Sequence, residues 1–187
     1  MTTTTQAPQT TLTGTYAVDP AHSRIGFVAR HAMVTKVRGS FNEFSGSGYY
    51  NAENSSESHL EVSIKADSID TRNADRDAHL RSNDFFAMET YPEIRFVSTQ
   101  VEPVDEDNLK VTGELTIKGV TRPVTVDFEL TGTAVDPWGN QRLGLEGRAT
   151  VNRKDWGISW NAALETGGVL VSEKVVLEFE VAAIKSA

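Results

Sequence analysis

The sequence of 187 residues contains no cysteine. Disulfide bonds, thiolate metal sites and a thiol nucleophile are therefore excluded. Basic residues are also short: 18 stand against 26 acidic ones, a formal charge of −8. A chain so acidic has no domain-wide footprint for nucleic acid or an anionic membrane, although a local basic pocket remains open to it. Apolar residues never run to 18 in succession, so no transmembrane helix is expected. The opening MTTTTQAPQTTLTG has neither the basic n-region nor the apolar h-region of a signal peptide. These features predict a soluble protein without an integral membrane segment, cytoplasmic by default.

Familiar chemical motifs are missing as well. There is no phosphate-binding P-loop, no dinucleotide-binding glycine fingerprint and no G-x-S-x-G elbow to expose a nucleophilic serine. His22, His31, His59 and His79 show no ligand spacing such as H-E-x-x-H. Neither a metal site nor a catalytic residue is assigned, and no catalytic cofactor is expected.

What the chain does have is a period of two. Ile25, Phe27 and Ala29 alternate with polar or small residues, as do Leu60, Val62 and Ile64, then Ile94 and Phe96. The pattern returns at Leu109, Val111, Leu115 and Ile117, at Val124 to Leu130, and at Val175 to Val181. Each run reads as a strand with one buried and one wet face, which is the signature of an antiparallel sheet. Turn formers such as NAENSSE, KGVTRP and DPWGNQ separate the runs, and no βαβ spacing occurs. About eight or nine such strands make a sandwich or a barrel. Glycines within the strand patterns, Gly39, Gly48, Gly113, Gly132 and Gly147, favour a barrel, because they mark places where a coiled sheet bends or bulges. Residues 1–13 are Thr- and Gln-rich and read as a disordered tail. Residues 14–187 read as a single domain.

One stretch departs from the pattern. In TRNADRDAHLRSNDFF, residues 71–86, Arg72, Asp75, Arg76 and His79 fall at i, i+3, i+4 and i+7. They form one polar face of a short helix that Thr71 or Asn73 would cap. Its arginines match the geometry of an anionic head group, or else its charges pair locally and lock the helix onto the sheet. From this stretch alone the structural reading is the stronger.

The segments YAVDPAHSRIGFVARHAMVTKVRGSFNEFSG, SIDTRNADRDAHLRSNDFFAMETYPEIRFVST and GELTIKGVTRPVTVDFEL, with the late RKDWGIS, together resemble the YceI-like family of polyisoprenoid-binding proteins. The resemblance runs from about Tyr16 to the C-terminus. It implies an all-β fold, an extended eight-stranded antiparallel lipocalin-like barrel with a short helical insert around residues 72–88. It also implies an interior tunnel for a long isoprenoid lipid, either a polyprenyl chain or a prenylquinone, bound without catalysis for transport or storage. Many members are exported, whereas no signal peptide is visible here. The expected tunnel lining is Ile25, Phe27, Leu60, Val62, Phe85, Phe86, Phe96, Leu115, Phe128, Trp156 and Phe179. Expected head-group contacts are His22, Arg24, Arg76, His79 and Lys118. Two alternatives stay open: an enzyme acting on a lipid or small anionic substrate through Arg76 and His79, and a protein partner held by an exposed strand edge or the Trp138 loop. The resemblance also leaves room for a homodimer.

Overall fold

The computed structural model describes residues 12–162, 164 and 170–186. Its strands are β1 (Gly14–Val18), β2 (Arg24–His31), β3 (Thr35–Phe41), β4 (Phe44–Tyr50), β5 (His59–Lys65), β6 (Ile69–Asp70), β7 (Glu93–Pro103), β8 (Asn108–Ile117), β9 (Val120–Val135), β10 (Gln141–Asn152) and β11 (Lys174–Lys185). The helix of the insert is α1 (Ala74–Arg81).

These eleven segments build eight staves, because three staves are each broken once. β1 and β2 both pair with β11, while β4 and β3 pair with β1 and β2 respectively. β5 and β6 then pair with β4 and β3. From β5 the order continues through β7, β8, β9, β10 and β11, every pairing antiparallel, and the contact of β11 with β1 closes the ring. The result is an up-and-down eight-stranded barrel. Closure pairs most of the ring on both sides. Toward the α1 end, however, β3 meets β6 only at Ser40 and Phe41, so Thr35 to Gly39 have no second ladder partner among the described residues.

The breaks have local causes. Between β1 and β2 a 3-10 turn at Pro20–His22 interrupts the ladder, with the Asp19 carboxylate accepting from the Ala21 N–H at 3.1 Å. Proline cannot donate to a ladder, which places the interruption there. A second 3-10 turn, Ala66–Ser68, separates β5 from β6.

Strand parity decides what faces inward. Ile25, Phe27 and Ala29 border the interior, and so do Val175, Leu177, Phe179, Val181 and Ala183. Between them in sequence, Glu178 and Glu180 belong to the opposite face, where Glu178 meets Arg148. Apolar inside and charged outside is the reverse of a membrane-spanning barrel. Two bulges reset the parity. Thr99 is the extra residue between Ser98 and Gln100, so both Phe96 and Val101 face inward. Near Gly132 the partner register skips Thr131. Of the glycines expected to bend the sheet, Gly132 sits at this irregularity.

The two ends are built differently. One is closed by Leu12, Tyr16, Leu143 and Ala183, with Tyr50, Ala52 and Leu130 packed against them. Leu12 is buried and Thr13 Oγ1 accepts from the Ala52 N–H at 3.0 Å, so the packed domain begins before Gly14. Residues 1–11 of the expected tail lie outside the described residues. The other end carries α1, the 3-10 turn Arg153–Trp156, and residues 158–162.

The insert is shorter as a helix than the sequence pattern predicts. Arg72 is left-handed with φ 63°, and Asn73 caps the helix by accepting from the Arg76 N–H at 2.9 Å. After Arg81 the chain folds into turns, with the Phe85 N–H bonded to the Ser82 carbonyl and Ala87 left-handed at φ 48°. Phe85 and Phe86 turn inward from these turns.

Candidate functional site: the barrel interior

The barrel encloses a cavity of about 290 Å3, close to the lower bound of roughly 300 Å3 for small-molecule sites. On β11 its border runs from Val175 to Ala183, about 26 Å along the strand at roughly 3.3 Å per residue. Nearly all of this wall is aliphatic or aromatic. Among the described residues, Arg153 is the single Lys or Arg on the border.

Glycine keeps the interior open. The Phe128 ring lies over Gly147, its partner across the β9–β10 ladder, and a Cβ built on Gly147 would come within 2.5 Å of the ring. Phe96 covers Gly113 in the same way, with a Cβ 2.5 Å from Cζ, and Phe27 lies over Gly39. Each phenyl ring can lie along the wall because the facing residue has no side chain. Rings held against the wall leave the centre empty.

Of the residues expected to line a tunnel, Ile25, Phe27, Leu60, Val62, Phe85, Phe86, Phe96, Leu115, Phe128 and Phe179 border the cavity. Trp156 does not. It is buried at the α1 end, where its indole N–H donates to the Leu115 carbonyl at 2.9 Å.

The five expected head-group residues are not brought together. Arg24 alternates with inward-facing Ile25 and so lies on the outer wall, 3.6 Å from the Glu178 carboxylate. His22 is also outside, in a chain of charges. Its Nδ1 is 2.7 Å from Asp19 Oδ2, which accepts from Arg142 Nη1 at 3.0 Å, while Arg142 Nε donates to Asp136 Oδ2 at 2.8 Å. Hydrogen bonding from His22 and then Arg142 holds the Asp19 carboxyl below its ordinary value.

Arg76, His79 and Lys118 stand at the α1 end, outside the cavity border. Arg76 donates through Nε to Thr71 Oγ1 at 2.7 Å and through Nη2 to the Thr71 carbonyl at 2.6 Å. Buried Asp77 accepts from the Thr71 N–H at 2.9 Å and from its hydroxyl at 2.5 Å. Arg81 adds bonds to the Asp67 and Ile69 carbonyls. The charges of α1 thus clamp it to the end of the barrel. His79 lies 2.9 Å from Asp84 and makes edge contacts with Phe85 and Trp160, at centroid distances of 5.0 and 4.6 Å. Lys118 Nζ lies 3.5 Å from the Asn83 carbonyl.

The polar group that sequence reasoning missed is Arg153. It is buried and has no carboxylate partner within ion-pair range among the described residues. Its guanidinium donates to the carbonyls of Ser172 at 2.9 Å, Ile158 at 2.8 Å and Val171 at 3.4 Å. Burial lowers its pKa, against the pull of Glu173. A signal existed: Leu143, Leu145, Ala149 and Val151 alternate along β10, and the next step of two is Arg153. Gly147 and Ala149 dilute that alternation.

A closed up-and-down barrel with an apolar lumen, capped by one short helix, is a lipocalin-like barrel. Within that class the chain belongs to the YceI-like family, whose domain model matches residues 16–183. A UPF0312 protein of Photorhabdus laumondii is 42% identical over 147 residues, which is 78% of this chain and 76% of that one. The crystal structure of a Campylobacter jejuni YceI protein superposes with a TM-score of 0.74 at 30% identity, covering 84% of this chain and 90% of the other. A polyisoprenoid-binding domain from Saccharophagus degradans, implicated in plant cell wall breakdown, shares the fold with a TM-score of 0.65 at 16% identity, covering 91% and 98%.

Proposed function

We propose that the chain binds a long isoprenoid lipid, a polyprenyl or a prenylquinone, in the barrel interior and carries or stores it without transforming it. The observation that carries this reading is the apolar cavity extending between the two ends of the barrel. Family membership supports it, as does the polyisoprenoid-binding character of the Saccharophagus domain with the same fold. Burying each methylene contributes roughly 0.8 kcal/mol, so a branched hydrocarbon chain gains ample gross affinity from such a wall. Immobilising a flexible tail takes back a large share, which makes cavity length and width the natural determinants of choice.

Arg153 gives the cavity a polar end. Three of the five guanidinium N–H groups are engaged by backbone carbonyls, leaving donors for a quinone carbonyl or an anionic head. In this reading the tail points toward Tyr16 and the head rests near α1.

Organic extraction of the purified protein, followed by mass spectrometry, tests the proposal. An apolar isoprenoid ligand at near-stoichiometric yield is expected. An empty extract, together with failure of the extracted protein to take up a prenylquinone, would sink it.

A further inference from the structure

The hairpin joining β2 to β3 stands at the α1 end of the barrel and has three features that the fold does not require. The first is its turn. Ala32 and Met33 are both left-handed, at φ 51° and 68°, and the Val34 N–H closes the turn on the His31 carbonyl at 3.1 Å. Such positions favour glycine or asparagine, because a Cβ crowds the backbone there. The β8–β9 turn places Lys118 at its first left-handed position but a glycine, Gly119, at the second, where this hairpin has Met33. A methionine at an unfavourable position points to a use for its side chain.

The second feature is exposure. Met33 is 59% and Val34 76% exposed, although β2 borders the cavity as far as Ala29. The third is charge. Arg30 lies directly opposite Lys36 across the ladder, with Arg38 two residues further along the same face. All three are exposed, and none has an ion-pair partner among the described residues. Like charges directly opposite destabilise a sheet. An anionic surface would relieve that repulsion.

We propose that this hairpin is a membrane-docking tip. Met33 and Val34 enter the headgroup boundary of an anionic bilayer while Arg30, Lys36 and Arg38 lie against lipid phosphates. The arrangement brings the hairpin side of the α1 end to the bilayer. That this is where a lipid ligand enters or leaves rests on the lipid-binding reading above; the docking itself does not. The opposite end also exposes apolar residues, Val104, Val135 and Trp138, but beside Glu102, Asp105, Glu106 and Asp107 of the β7–β8 loop. The α1 end carries exposed carboxylates too, Asp75, Asp84, Glu89 and Glu93 among them. What sets the hairpin apart is that its own apolar tip is flanked by Arg30, Lys36 and Arg38. With a formal charge of −8 on the chain, attraction to an anionic surface has to be local, and it orients the molecule.

Cosedimentation with vesicles of phosphatidylcholine alone, or mixed with phosphatidylglycerol, tests the proposal. Binding is expected only to the mixed vesicles and should weaken as salt is raised. Each basic residue near such a surface contributes about fivefold to partitioning, so Arg30→Glu with Lys36→Glu should reduce binding at least tenfold. Met33→Gly should weaken binding severalfold while leaving Tm unchanged or higher, because glycine suits the turn; this separates docking from folding. Trp138→Ser should have no effect. Equal binding to both vesicle types would overturn the proposal, as would binding unchanged in the hairpin variants. So would a solution dimer that these substitutions dissociate while vesicle binding is absent, since the hairpin would then be a contact between copies. Vesicle binding that follows the hairpin in a protein whose extract holds no lipid would uphold docking and overturn the cavity reading. Lipid in the extract without vesicle binding would do the reverse.

Discussion

Single residues set both the openness of the lumen and its closure. A methyl group at Gly147 would meet the Phe128 ring 2.5 Å away, so the ring would have to leave its place against the wall, beside the cavity that it borders. Gly147→Ala is therefore expected to cost about 1–3 kcal/mol through overpacking, read from urea denaturation, and to reduce lipid uptake by the folded variant. Unchanged uptake would show that the lumen tolerates a displaced ring. At the other end Tyr16 donates its hydroxyl to the Leu12 carbonyl at 2.6 Å, and burial, with Tyr50 nearby, pushes its pKa up from 10.0 to about 12. Above pH 10 the unfolded chain releases this proton while the folded chain keeps it. Stability therefore falls as pH rises from 10 to 12, by about 2–3 kcal/mol from this group. Tyr16→Phe should flatten that alkaline slope in thermal melts, and at neutral pH it should cost about 1 kcal/mol for the lost hydrogen bond.

At the scale of elements, α1 shows how a charge-dense segment serves as a fastener. Asp77→Ala leaves the Thr71 N–H and hydroxyl without their acceptor, an expected loss of about 2–3 kcal/mol. Amide exchange across residues 71–88 should quicken more than in β8 and β9. Because Arg76 shares Thr71 as its partner, Arg76→Ala and Asp77→Ala should combine non-additively. Additive losses would show that the two anchors act separately. The helix was legible in the sequence, and its N-cap was narrowed to Thr71 or Asn73, because spacing and capping are local; the structure selects Asn73. The targets of the helix's arginines were not legible, since backbone carbonyls carry no residue identity. Strands were legible by their alternation, which a half-buried sheet imposes on every second residue. The bulge at Thr99 escaped notice because an inserted threonine looks like any strand residue, and only the partner strand reveals the extra position. Arg24 and His22 were misplaced for a related reason: a motif gives order along the chain, while parity decides which side of the wall a residue occupies. For Arg153 the parity was present, but the small residues of β10 masked it.

For the whole molecule, a hollow centre is a cost that packing elsewhere has to offset. Well-packed interiors leave few voids larger than a water molecule, whereas this one keeps about 290 Å3 behind an apolar wall. The side chains along that wall lack contacts on one face and forfeit dispersion energy there. A ligand that fills the space restores those contacts only in the folded state, so by linkage it stabilises the fold by RT ln(1 + [L]/Kd), about 2.7 kcal/mol at a hundredfold excess over Kd. For a chain of this size each kcal/mol moves Tm by roughly 2–4 °C. Protein stripped by organic extraction and refolded should therefore melt about 5–10 °C below the lipid-loaded form, and a prenylquinone added back should restore the difference. A polar quinone analogue without the tail should restore little, because nearly all of the wall is aliphatic or aromatic and gains from burying the tail. Equal melting of stripped and loaded protein would mean that the lumen gains nothing from being filled, and the barrel would then have to be stabilised by its ladders and end caps alone.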